Sequence, residues 1–92
     1  KYNVLIFSDE IHCDLIYPGY RHIPIASLSE EIADNTITLM SPTKTFNLAG
    51  LQASYLIISN KNLRLQMKNE LKNQGFTTLN SMGITALEAA YN

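Results

Sequence analysis

Thr36-Ile37-Thr38-Leu39-Met40-Ser41-Pro42-Thr43-Lys44-Thr45-Phe46-Asn47 decides how this chain is read. Its apolar first part predicts a strand over residues 36–40, and Ser41-Pro42 ends that strand in a loop carrying Lys44. A second apolar run, Val4-Leu5-Ile6-Phe7, is followed by Asp9. Two strand-like segments therefore each end in a loop, one with an acid and one with a lysine. In an open α/β sheet, ligands bind outside the carboxyl ends of the strands. An acid and a lysine placed there can hold opposite ends of one ligand.

Working outward, residues 3–8 read as a strand buried on both faces, because the apolar run is continuous rather than alternating. Residues 9–25 read mostly as loop, broken by Pro18, Gly19 and Pro24. Ser27-Leu28-Ser29-Glu30-Glu31-Ile32-Ala33 predicts a short helix, with Ser27 or Ser29 as N-cap, acids in the first turn and Asn35 at its end. A third strand is expected over 54–59. Leu63, Met67 and Leu71 recur at helical spacing and predict an amphipathic helix over about 60–74, with Gly75 as its C′ residue. Ile84, Leu87 and Tyr91 suggest a last helix from about residue 79. The strand–helix–strand order argues for a parallel α/β unit. Three apolar strands need cover on both faces, and the helices in hand supply only part of it.

Ninety-two residues allow one small domain at most. A chain of this size buries only roughly 60–65% of its unfolded surface, so its core is modest. The composition is 46% hydrophobic and 16% charged, which fits a globular chain and not a disordered one. Seven Lys/Arg against eight Asp/Glu give a formal charge of −1, so there is no electrostatic case for nucleic acid or an anionic membrane as partner. The single cysteine, Cys13, allows no internal disulfide, in keeping with a reducing compartment. No apolar run approaches the ~20 residues that span a bilayer. Lys1-Tyr2-Asn3-Val4 lacks the pattern of a signal peptide, and the chain starts without Met and stops inside a helix-like segment; the expectation is a piece of a longer protein.

A lysine amine condenses with an aldehyde to form a Schiff base, the usual route of lysine nucleophilic catalysis. Pyridoxal phosphate then acts as an electron sink, provided its ring nitrogen stays protonated, and an aspartate at that nitrogen keeps the proton in place. Asp9 and Lys44 are of the types needed. His12 is a candidate for the ring's phenolic oxygen and Ser41 for the phosphate. Taken alone, Lys44 also reads as a solvated loop lysine, Asp9 as a cap after a strand and His12 as a surface histidine. His12, Cys13, Asp14 and His22 are metal-ligand types, but adjacent His-Cys side chains do not readily meet at one ion, and no metal site is expected. Cys13 lacks a base partner and reads as a small buried hydrophobe. Ser8 and Ser41 show no nucleophile-elbow pattern, and Gly50 and Gly83 form no phosphate-binding glycine motif.

Ser8-Asp9-Glu10-Ile11-His12-Cys13-Asp14-Leu15, His22-Ile23-Pro24 and Ser41-Pro42-Thr43-Lys44-Thr45-Phe46-Asn47-Leu48-Ala49-Gly50-Leu51-Gln52 together resemble the fold-type I pyridoxal-phosphate enzymes. The resemblance is nearest the cystathionine β-lyases of the MalY/PatB type, in the class I/II aminotransferase-like branch. It runs over essentially the whole chain. It implies an α/β fold, with residues 1–92 forming part of the mostly parallel sheet of a cofactor-binding large domain. Lys44 matches the lysine that attaches to the cofactor and later moves the substrate Cα proton. Asp9 matches the aspartate at the pyridine nitrogen, His12 the residue facing the phenolic oxygen and Ser41 the phosphate-contacting serine. Aminotransferases of the superfamily usually carry a phosphate-binding arginine where this chain has Gln52. Gln cannot reproduce a bidentate fork, and this departure favours the lyase branch.

The resemblance implies a C–S β-lyase that uses pyridoxal 5′-phosphate on a small sulfur-containing amino acid and releases a thiol, pyruvate and ammonia. The parent is expected to be a cytoplasmic homodimer whose remaining cofactor contacts and substrate-carboxylate arginine lie outside residues 1–92. Two alternatives stand beside it: an aminotransferase on the same scaffold, and a regulatory or binding protein that keeps the fold without catalysis.

Overall fold

A computed structural model describes residues 4–92, so Asn3, the first residue of the expected strand, lies outside the described residues. Strand β1 spans Ile6–Asp9, β2 Thr36–Met40 and β3 Tyr55–Ile57. Helix α1 spans Glu30–Asp34, α2 Lys61–Asn73 and α3 Ser81–Tyr91, and single 3-10 turns occupy Ile25–Ser27 and Ala49–Leu51. The three strands form one sheet in the order β1-β2-β3. β1 and β2 are parallel, with Ile6 opposite Thr36 and Asp9 opposite Leu39. β2 and β3 are antiparallel, with Thr38 opposite Ile57 and Met40 opposite Tyr55.

The parallel unit expected from the strand order is therefore present once, in β1-α1-β2. The β2–β3 connection contains only a 3-10 turn, and without a crossover helix the chain folds back beside the strand it has just left. Helix α1 starts where Ser29 Oγ accepts the Ile32 amide at 3.1 Å, and it ends where the Asn35 side chain donates to the Glu31 carbonyl. Ser27 is not the cap; it closes the preceding 3-10 turn by donating to Pro24 O at 2.7 Å.

Helix α2 is capped by Asn60, whose Oδ1 accepts from the amides of Asn62 and Leu63. Arg64 ties its first turn to the end of the sheet by donating to Ile58 O at 2.6 Å. Its C-terminus is a Schellman motif: Gly75 N–H donates to Lys72 O and Phe76 N–H to Leu71 O, with Gly75 at φ +87°. Helix α3 is capped by Asn80, which accepts from Gly83 N and donates to Leu51 O. A Cβ on Gly83 would stand 3.0 Å from that same Leu51 carbonyl, so the glycine permits α3 to sit against the 49–51 turn.

The fold is a slab of 42 × 41 × 19 Å. Among the described residues, the buried hydrophobic side chains are Ile37, Ala53 and Ile58. β2, flanked on both edges, is the most enclosed strand. β1 lies at the sheet edge, and the expectation that it is buried on both faces does not hold: Val4 is 65% and Phe7 59% exposed, because no described element covers them. Among the described residues no helix is long and apolar enough to cross a membrane.

Candidate active site

Parallel pairing brings the carboxyl ends of β1 and β2 side by side. Asp9 is the last residue of β1, and Glu10 N–H continues the ladder by donating to Leu39 O at 3.0 Å. The loop that leaves β2 begins one residue past Met40. Asp9 and the Lys44 loop therefore share one end of the sheet, at the position where open α/β sheets bind ligands.

Asp9 is exposed, and its Oδ1 accepts only a long bond, 3.4 Å, from Ile11 N. Its remaining lone pairs are available to a cationic N–H donor. His12 is exposed in the following turn, where its carbonyl accepts from Leu15 N. Lys44 is exposed, and among the described residues its ammonium has no hydrogen-bond or ion-pair partner. It rides on a tight turn in which Phe46 N donates to Pro42 O and Leu48 N to Thr43 O. Asn47 and Gln52 adopt left-handed backbone at φ +56° and +50° to complete the loop. That conformation costs a non-glycine residue on the order of 1 kcal/mol, least for Asn.

Ser41 is placed differently. It is buried, and its hydroxyl donates to Ala53 O at 2.7 Å. Its oxygen accepts from Thr43 N at 3.1 Å and lies 2.7 Å from Thr43 Oγ1. Because the Ser41 proton is directed at a carbonyl, Thr43 must be the donor in the hydroxyl pair, and both lone pairs of Ser41 are filled. The hydroxyl thus closes the base of the Lys44 loop. A phosphate contact through it requires the proton to leave Ala53 O.

Two interactions escaped the sequence reading. Glu10, next to Asp9, is buried, and its carboxylate gathers three partners: Ser8 Oγ at 2.9 Å, Ile25 N at 3.1 Å and His22 Nε2 at 2.8 Å. Burial pushes the Glu10 carboxyl upward, but the His22 and Ser8 side chains, the Ile25 amide and the charge of His22 overcome it, and its pKa falls below the ordinary 4.5. The clasp folds residues 10–25 back against the sheet. His22 is thereby a structural partner of Glu10, and among the described residues no group of three His, Cys, Asp or Glu side chains gathers as for a metal. The second interaction joins the two loops: Thr45 Oγ1 donates to Asp14 Oδ2 at 2.8 Å. Both pairs are distant in sequence, so periodicity gives no sign of them.

Next to this tie, Tyr91 of α3 meets Phe46 edge-on at 6.2 Å and Tyr55 of β3 edge-on at 5.8 Å. Burial, then the neighbouring Tyr55 hydroxyl, push the Tyr91 phenol well above its ordinary 10, so it stays neutral. Cys13 is partly buried, and that burial together with the Asp14 carboxylate raises its thiol. A thiol that stays protonated is a poor nucleophile.

All of residues 1–92 match the model of the family "Aminotransferase class I and II". The chain is 46% identical over 92 residues to the cystathionine β-lyase PatB of Bacillus subtilis strain 168, covering all of this chain and 24% of PatB. Its fold superposes with a TM-score of 0.94 on a crystal structure of a pyridoxal-phosphate-bound protein from Clostridium difficile 630, at 44% identity, over 99% of this chain and 24% of that one. A TM-score of 0.90 at 40% identity relates it to cystalysin from Treponema denticola, whose crystal structure contains pyridoxal 5′-phosphate, over 95% of this chain and 22% of cystalysin. The chain thus spans about a quarter of the length of the relatives it matches. With every residue matched and the sheet superposed throughout, this chain belongs to the aminotransferase class I and II family.

Proposed function

We propose that the parent protein is a pyridoxal-phosphate-dependent C–S β-lyase and that residues 1–92 are part of its cofactor-binding large domain. The observation that carries this reading is the placement of Asp9 and Lys44 at the same carboxyl end of two parallel strands. An exposed carboxylate with free lone pairs and an exposed amine fit a group that presents a ring nitrogen at one end and an aldehyde at the other. When bound, pyridoxal phosphate supplies an electron sink for the pair left at the substrate Cα.

Asp9 holds a proton at the ring nitrogen through a charge-assisted hydrogen bond. Lys44 would hold the cofactor through its aldehyde and, once its amine is free, would take the substrate Cα proton as general base. His12 donates to the phenolic oxygen. Ser41 shapes the turn that presents Lys44 and would reach the phosphate only if its proton turned from Ala53 O. A thiolate would leave from Cβ and take up a proton, and one water would then hydrolyse the remaining three-carbon unit, so that amino acid plus water give thiol, pyruvate and ammonia. The substrate is a small sulfur-containing amino acid, the parent a homodimer and its compartment the cytoplasm. The likeness to the cystathionine β-lyase PatB supports the lyase reading, and the likeness to cystalysin supports the cofactor.

The family model itself favours a second reading, amino transfer on the same scaffold. Full-length protein incubated with cystathionine, and separately with an amino acid plus 2-oxoglutarate, separates the two. Thiol and pyruvate release is expected; keto-acid-dependent amino transfer without thiol would sink the lyase. Lys44→Ala is expected to lower the rate by at least roughly 10²–10⁴-fold, the range for losing a positioned proton carrier. A role that survives Lys44→Ala would be regulatory rather than catalytic.

A further inference from the structure

The loop that follows Asp9 and the loop that carries Lys44 come from different strands, and between the described residues one side-chain hydrogen bond crosses from one loop to the other. Thr45, directly after Lys44, donates to Asp14, two residues after His12. Thr45 is half-buried, and its neighbour Phe46 is backed edge-on by Tyr91, which itself leans on Tyr55. The tie therefore sits on an aromatic support built from β3 and α3. Its Asp14 end is steadied by Cys13, whose Sγ lies 3.7 Å from Asp14 Oδ1. The sheet register fixes the distance between the strand ends, but Lys44 lies beyond that register, on a turn that includes the left-handed Asn47. Ser41 ties that turn down at its base, and Thr45 is the residue of the turn whose side chain bonds to the loop after β1.

We propose that Asp14 and Thr45 are positioning residues that set the Lys44 amine relative to Asp9 and His12. This rests on the reading of Lys44 as the cofactor-binding lysine. Misplacement of a reacting group by about 1 Å suffices to lower a rate on the order of 10²-fold, so one hydrogen bond at this point has leverage beyond its own strength.

The test uses the full-length protein loaded with pyridoxal phosphate and compares Thr45→Val, Thr45→Ser and Asp14→Ala. Thr45→Val keeps the shape and removes the hydroxyl, whereas Thr45→Ser keeps the hydroxyl. In cofactor-free protein, hydrogen exchange at the Phe46 and Leu48 amides is expected to quicken roughly 5- to 10-fold in Thr45→Val and Asp14→Ala. In loaded protein, the pH midpoint of the bound cofactor's visible absorption is expected to shift by about half a unit or more in the same two variants. Thr45→Ser should restore both, and the double variant should add nothing to either single change. A bond that only held the fold would lower the melting temperature and leave that midpoint in place. An unchanged midpoint, or failure of Thr45→Ser to restore it, overturns the proposal. Should Thr45→Val not fold, Asp14→Ala decides on the same two readouts. Borohydride trapping of the cofactor on wild type and on Lys44→Ala tests the underlying reading separately: covalent attachment that survives Lys44→Ala removes that reading, while the exchange data still report on the tie.

Discussion

The loop after β1 is held by side-chain hydrogen bonds, whereas α2 lies beside an apolar cleft and buries no side chain of its own. In the first region Glu10 alone meets three partners, and Asp14 reaches across to Thr45. In the second, a cleft of about 590 Å³ opens between β3 and α2, lined by Leu56, Met67, Leu71 and Phe76 among others, and Phe76 is 72% exposed. Hydrogen bonds are directional and fix positions to a fraction of an ångström, while apolar contact fixes burial and tolerates sliding. The region that has to aim side chains uses the former. The region around α2 only lines a cleft: the helix is finished locally by the Asn60 cap and the Schellman turn, and Arg64 ties its first turn to the end of the sheet.

If the comparison holds, the largest stability effect outside Lys44 chemistry falls on Glu10. Glu10→Gln removes the charged acceptor of Ser8, Ile25 and His22, and urea unfolding of the full-length protein should register a loss of about 2 kcal/mol. A pH series sharpens this. The folded Glu10 pKa lies below the unfolded value near 4.5, so its contribution is complete above that value and fades as pH falls through the folded one. Wild type should lose stability in that acid window, and Glu10→Gln should flatten this part of the curve. A steeper curve in the variant would contradict the clasp. The smaller effect belongs to α2: Asn60→Ala removes an N-cap and should cost about 1 kcal/mol, read as faster hydrogen exchange confined to the first turn of α2. If Asn60→Ala lowered stability as much as Glu10→Gln does, the two regions would not differ as described.

Much of the fold was legible because periodicity and caps are local. The β2 bounds, the caps at Ser29 and Asn35, and Gly75 at C′ all follow from neighbours in sequence. The antiparallel return of β3 was harder, since a continuous apolar run reads the same in either direction; the missing crossover helix between residues 41 and 54 was the available signal. β1 begins later than expected because its pairing starts where Ile6 N–H meets Asn35 O. At the site, residue types and spacing marked Asp9, His12, Ser41 and Lys44 as candidates. They did not mark Glu10–His22 or Asp14–Thr45, which depend on the path of loops through space. Nor did they show that Ser41 is engaged inside the loop.

The mixed direction of the sheet also orders its assembly. Met40 meets Tyr55 across 15 residues of chain, but Asp9 meets Leu39 only across 30. Each doubling of a closed loop adds about 0.6 kcal/mol of entropy cost, which favours the β2–β3 pairing as the earlier event. The Lys44 turn lies within that shorter loop, so it is enclosed before β1 arrives to place Asp9 beside it. Pulse-labelled exchange during refolding should find the β2–β3 amides protected ahead of those of β1, and the reverse order would refute the sequence of events. On this pathway the amine comes first, and the acid docks onto it.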